Sequence, residues 1–581
     1  MKKYMKGDKK SKALVLTLIV ALIALGSVSI TSFADQGAKK ENVNDGIKTT
    51  AKTPANDETV YLLTDADGRE HQRIVSEKGT LHYDGYENAE LPVSCAEIDY
   101  VLLTHAHIDH TGLLPMLYAR GFRGPVYATK ATSDLSQIML RDSAHIQQFE
   151  AEWRNRKAQR SGGEMYEPLY TMEDALGAVR LFVPCPYNAR VHICDEVTVR
   201  FTDVGHLLGS SSIEVFAREN GEERTIVFSG DLGNSNKPIL KDPTYTKAAD
   251  YVVMESTYGD RLHDSEEPDY VGQLAEIIQD TFKRGGNVVV PCFAVGRTQE
   301  MLYFIRQIKE QGLITVNPDF EVYVDSPLAV EATNIFGKNV EECFDDEARE
   351  LVNKGINPIG FPGLKLSVTS DDSKEINFDM RPKVILSASG MCEAGRIRHH
   401  LKHNLWRPES TIVFVGYQTR GTLGRSLLEG ATEVRLFGEP IEVKAKIVKI
   451  TGISGHADKN GLLKWINHFT EQPPKRVFVV HGEDKVCDSF VTALTDSGYI
   501  ASAPYSGTQF DLIRGEFLIE TEPIAVQKKN AAKKRAGDMF QRLMTAGQRL
   551  IAVIRKNEGL SNKDVAKFTD QINTLCDKWD R

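Results

Sequence analysis

With 581 residues, 41% of them hydrophobic, the chain has room for two or three packed domains, and its composition is that of an ordinary globular protein. A formal net charge of -9 excludes coating of nucleic acid by bulk positive charge, so any polyanionic substrate must be gripped locally. The eight cysteines include no CxxC pair, which argues against a cysteine zinc cluster and against a dense disulfide framework.

Lysines crowd the first twelve positions, and an apolar run from Ala13 to about Ile30 follows, closed by Ser32-Phe33-Ala34, the small-residue spacing that signal peptidase accepts. Residues 1–34 therefore read as an export signal or, if uncleaved, a membrane anchor. The expected location is exported or membrane-anchored, with the cytoplasm as the alternative. Residues 35–94 read as a polar linker with short β segments: TVYLL and TLHYDGY alternate in polarity and are set off by Asp-Ala-Asp-Gly and Lys-Gly turns.

A stronger pattern begins at Ile98, where IDYVLLT predicts a buried strand that runs directly into His105-Ala106-His107-Ile108-Asp109-His110. A helix is expected after Gly112, and strands at 197–202, 213–216, 225–228 and 251–254 make residues 95–260 a β-rich domain. Beyond it, the amphipathic helices VGQLAEIIQDTFKRG and RTQEMLYFIRQIKEQG alternate with the apolar strands NVVVP, EVYVDS, KVILSAS and TIVFVGY. That alternation predicts a parallel, doubly wound α/β domain over residues 261–435, inserted into the first. A return stretch, residues 436–520, carries Ser454-Gly455-His456-Ala457-Asp458 and Val480-His481-Gly482-Glu483. Residues 521–581 read as a helical basic tail whose lysines form a solvated face.

Four ligand-type side chains within six positions, directly after a buried strand, point to a metal site. Imidazole and carboxylate are the donors that zinc prefers, with manganese as the alternative ion. Two later segments suit the same site: Gly205-His206 follows the strand VRFTDV, and Gly230-Asp231 ends the strand TIVF. Glycines beside both let the backbone come close. His399, His400 and His403 share a predicted helix and read as a substrate-facing or polar surface. Arg297, Arg396, Arg420 and Arg425 are candidates for phosphate contacts.

The order HAHIDH, a lone histidine, then SGD resembles the metallo-β-lactamase superfamily. MESTYG, SGHA and VVHGE, with PCFAVGRTQE, SASGM and VGYQTRGTLGR between them, resemble its β-CASP branch, which includes the endonuclease subunit of the cleavage and polyadenylation specificity factor. The resemblance spans roughly Cys95 to Phe517. It implies an αββα sandwich with an inserted doubly wound β-CASP domain and two zinc ions per chain. One would be held by His105, His107 and His206, the other by Asp109, His110 and His481, with Asp231 bridging. Such a pair acidifies a water and neutralises a scissile phosphate. Asp109, His456 and Glu255 would be the catalytic residues, His456 giving the leaving-group proton while Glu255 orients it. His481 favours RNA as substrate, and hence an endoribonuclease, with 5′ exonuclease activity as an addition.

The resembled domain ordinarily starts with further strands some thirty residues before HxHxDH, and neither they nor their Asp-x-Gly motif is legible here. The expected sandwich thus lacks its first strands. Two other readings follow: a catalytically weakened RNA-binding or complex-forming homologue, and a small-ester metallo-hydrolase, for which 250 positions between Asp231 and His481 are too many. Expected partners are RNA, a second copy of the chain in a homodimer, and a membrane through the N-terminal apolar segment.

Overall fold

The structure, a computed structural model, describes residues 94–521 except 162–164, 220, 264–268, 419–420, 451, 453 and 506, together with 58–64, 70–76, 81–82, 550, 554 and 561–579. The predicted export segment, Arg420 and the lysine cluster near residue 530 lie outside these residues. The chain forms a large unit, residues 1–143 and 172–526, and a small one, residues 144–171 and 527–581. The small unit holds the helix Asn562–Trp579. No helix of the described residues is long and apolar enough to cross a membrane.

Two sheets build the first layer pair of the large unit. A seven-stranded sheet runs in the order Ala501–Ser502, Arg476–Val479, Tyr251–Met254, Glu222–Phe228, Ser211–Glu219, Val197–Asp203, Arg190–Cys194. Alternation decides its two faces, because successive strand residues point to opposite sides. Val199, Phe201, Ile213, Ile226, Phe228 and Phe478 pack with Leu102 and Cys185 of the second sheet. Val227, Val252, Met254, Val477 and Val479 pack instead on Leu462, Trp465, Phe490 and Leu494. These last four belong to the helices Lys459–Ile466 and Asp484–Asp496.

The second sheet has three parallel strands, in the order Val101–Leu102, Val126–Thr129, Phe182–Cys185. Val101–Leu102 is far shorter than the predicted IDYVLLT strand, and among the described residues nothing pairs with its outer side. The early strands Glu58–Thr64, Glu70–Ser76 and Leu81–His82 form an antiparallel sheet of their own. EHQRIVS is thus a strand between the two expected turns, missed because its polar residues mask the alternation, while TLHYDGY contributes two residues.

The insert is a six-stranded sheet in the order Leu364–Ser367, Val322–Asp325, Val384–Ser387, Val288–Pro291, Thr411–Phe414, Lys446–Lys449. Every pair is parallel. Its last strand, KIVK, lies beyond residue 435, where a boundary was expected; the lysines at both its ends leave too little apolar signal to announce a strand of this sheet. One face packs Val288 and Val290 on Met301, Leu302 and Ile305, in a core that also takes in Ala106, Leu207 and Leu208 of the first domain. The insert therefore shares a core with two of the loops that carry candidate ligands.

Candidate metal centre

His105 follows the short buried strand, and His107 caps the four-residue helix Ile108–Thr111, so that His105, His107, Asp109 and His110 leave one tight turn. Thr111 Oγ1 closes the turn by donating to the carbonyls of Ala106 and His107, at 3.3 and 3.0 Å. Gly230 holds φ at +59°, and a Cβ there would stand 2.8 Å from Thr104 Cβ and 2.9 Å from Ser211 O, so only glycine lets the Asp231 loop reach the histidines.

These segments converge on Asp231, whose side chain is 2% exposed. Its Oδ2 lies 3.3 Å from His105 Nε2 and 3.6 Å from His206 Nε2. Its Oδ1 lies 3.3 Å from His110 Nε2 and 3.6 Å from His481 Nδ1. His107 Nδ1 completes the first group, 3.1 Å from both His105 Nε2 and His206 Nε2. In the second, His481 Nε2 is 3.2 Å from His110 Nε2 and 3.8 Å from Asp109 Oδ2. One carboxylate thus presents an oxygen to each of two donor groups.

The donors suit cations. Asp231 Oδ1 is buried without a hydrogen-bond partner, a costly state for a carboxylate oxygen unless a positive charge faces it. The ligand atoms of His105, His107, His206 and Asp231 lie within 4.8 Å of one another, as do those of Asp109, His110 and His481. Burial, with the neighbouring imidazole His105, pushes His107 down to about 3. Burial likewise lowers His105 and His206, with His110 and His456 respectively adding to it, so all three are neutral donors at pH 7. His481 differs: burial opposes its charge, but Asp231 and Asp109 outweigh burial and raise it to about 10. His481 also holds a left-handed φ of 54°, a strain that concentrates at functional sites.

Partners behind the candidate ligands fix their rings. Thr104 Oγ1 lies 3.1 Å from His105 Nδ1, Thr257 Oγ1 lies 3.1 Å from His481 Nδ1, and His206 Nδ1 lies 3.0 Å from the Gly455 carbonyl, to which it donates. Such contacts select the tautomer that turns a lone pair inward. Sequence reading missed these partners; the position of Thr104 next to HAHIDH and of Thr257 within MESTYG were the available signals. His456 stands at the rim, Nδ1 3.3 Å from both oxygens of Glu255 and Nε2 4.0 Å from Asp231 Oδ2.

The other predicted residues are placed elsewhere. His400 is fully buried, its Nε2 2.7 Å from Asp325 Oδ2 and its Nδ1 2.9 Å from Asn377 Oδ1; it is core, where a polar or substrate-facing surface was expected. Its spacing with Ile397, Leu401 and Asn404 explains this, for those four positions make one buried helix face. Arg396 pairs with Asp325 at 2.7 Å, Arg297 with Glu300 at 2.6 Å and Arg425 with Glu429 at 2.7 Å.

Three family models match the chain: a Beta-lactamase superfamily domain over residues 85–161, a Beta-Casp domain over 298–427, and a Zn-dependent metallo-hydrolase RNA specificity domain over 440–504. Ribonuclease TTHA0252 of Thermus thermophilus is 38% identical over 389 residues, 67% of this chain and 82% of that protein. Transcription termination factor FttA of Methanosarcina mazei is 32% identical over 67% of this chain and 59% of its own length. FttA of Methanocaldococcus jannaschii is 30% identical over 71% and 62%. The chain thus spans about three fifths of the archaeal relatives.

Proposed function

This chain belongs to the β-CASP branch of the metallo-β-lactamase superfamily, and on that premise we propose that it is a zinc-dependent ribonuclease that hydrolyses RNA phosphodiester bonds at the Asp231 centre. His105, His107 and His206 would hold one cation, Asp109, His110 and His481 the other, with Asp231 shared. Cations so held supply Lewis acidity, which acidifies a water and offsets the charge of a phosphodiester. The observation that carries this reading is the buried Asp231 carboxylate, one oxygen turned to each donor group and Oδ1 lacking any hydrogen-bond partner.

The chain's own proton chemistry falls to His456. Glu255 accepts the Leu232 N–H at 2.5 Å and the Thr257 N–H at 3.2 Å, which fixes its carboxylate against His456 Nδ1. Burial disfavours a charged His456, but Glu255, with Asp231 behind it, overcomes burial and raises the imidazole above its ordinary value. With Nδ1–H held by Glu255, Nε2–H faces the centre as the donor to the leaving oxygen. The RNA specificity domain match over residues 440–504 includes both His456 and His481, which supports RNA as the substrate.

The test is cleavage of a labelled RNA by the full chain, with and without a chelator, beside a His456→Ala variant. Cutting that stops with the chelator and collapses in the variant is expected. Cutting that survives both refutes the assignment.

A further inference from the structure

We propose that Glu300 of the inserted domain is a positioning residue for the metal centre, acting through Lys237 on the loop that carries His206. This rests on the metal-centre reading above. Lys237 Nζ donates to the His206 carbonyl at 3.0 Å and lies 3.1 Å from Glu300 Oε1. The other oxygen of Glu300 takes Arg297 Nη1 at 2.6 Å. Lys237 is 10% exposed, Glu300 7% and Arg297 11%.

Burial makes this chain of contacts conditional. An ammonium in such a position is costly unless a counter-charge meets it, so Lys237 can reach the His206 carbonyl only because Glu300 stands opposite. Burial alone would favour a neutral Glu300, but the charges of Arg297 and Lys237 win and lower it to about 2, so it stays ionised across the working range.

The helix start that bears Glu300 is itself pinned to the same loop. Gly296 N–H donates to Gln299 Oε1 at 2.7 Å, and Glu300 N–H donates to the Gly296 carbonyl at 3.0 Å. A Cβ at Gly296 would stand 3.1 Å from Leu207 Cδ1, so the helix start meets the residue next to His206. Two adjacent residues of the ligand loop are thus held by one turn of the insert, His206 through an ion pair and Leu207 through apolar contact. The ring of His206 is fixed separately, by Gly455. Removing the Glu300 charge would leave two buried cations together, displace Lys237 and free the His206 backbone, while the Asp109, His110 and His481 group keeps its supports.

The experiment is a titration of full-length wild type, Glu300→Gln, Lys237→Met and the double variant with Zn2+ against a chromophoric chelator, alongside kcat and KM on RNA and thermal melting. Wild type should take up two equivalents. Each single variant should bind one equivalent about 10–100-fold more weakly, the scale of loss when a supporting partner is removed, and keep the other. The double variant should be no weaker than the worse single one, because both residues act on one contact. In the variants kcat should fall with little change in KM. Wild-type affinity for both equivalents in folded Glu300→Gln, or losses that multiply in the double variant, overturns the proposal. If Glu300→Gln does not fold, Lys237→Met, whose stem fills the same space without charge, decides: two equivalents at wild-type affinity there overturn it equally. A wild type that binds no zinc would sink the metal-centre reading itself, a distinct result.

Discussion

Glu255 and His456, 201 positions apart in the chain, meet so that the imidazole Nδ1 stands 3.3 Å from each carboxylate oxygen. The pair sits where the end of the strand Tyr251–Met254, the SGHA loop and the candidate ligand cluster come together, and on the proposed reading it would supply a proton donor separate from the metal ligands.

His456→Ala should lower kcat by about 10²–10⁴-fold, the usual worth of a general acid, and leave metal content unchanged. Metal analysis beside single-turnover kinetics checks this. Loss of metal in step with activity would show that His456 is a ligand instead.

The Glu255→Gln variant should move the pH profile. Burial pushes His456 down and Glu255 more than restores it, so the wild-type imidazole stays protonated to higher pH than a free one. A proton donor loses activity as pH rises through its pKa, and removing the carboxylate must shift that alkaline limb to lower pH. An unmoved limb would separate the two residues functionally.

Metal loading should release protons. Without a cation, burial notwithstanding, Asp231 and Asp109 hold His481 protonated up to about 10, whereas a ligand imidazole must be neutral. At pH 8 about one proton should therefore leave His481 on loading. Apparent affinity should fall as pH falls. Calorimetry in two buffers of different ionisation enthalpy measures this, and buffer-independent heats would contradict it.

Gly230→Ala should destabilise the protein by about 1–3 kcal/mol, since a methyl there meets Thr104 and Ser211 in a left-handed backbone conformation. Denaturant melts give the cost. A neutral outcome would mean that the Asp231 loop relaxes, and metal content should then fall.

Asp325→Asn tests the insert alone. Asp325 is fully buried and takes His400, Ser367, Ser373 and Arg396. Breaking so buried a network should cost about 3–5 kcal/mol while the remaining folded protein keeps its metal.

The site was legible where its residues are dense. HAHIDH packs four donors into six positions, and SGD and SGHA place theirs beside glycines, so local chemistry announces them. Lys237 carries no such mark, and Glu300, although it ends PCFAVGRTQE, gives no sign of the lysine it meets until the insert folds against the His206 loop. His400 was misread for a different reason. Its neighbours His399 and His403 drew attention to chemistry, although the spacing of Ile397, His400, Leu401 and Asn404 already described a core face. In the insert, apolar runs marked four of the parallel strands plainly, while KIVK, with lysine at every third place, did not.

His110 and His481 meet although they stand 371 positions apart in the chain. A polypeptide emerging from its N-terminus therefore displays most of the donor set long before the final imidazole exists, and any fragment ending short of it lacks a complete second cluster.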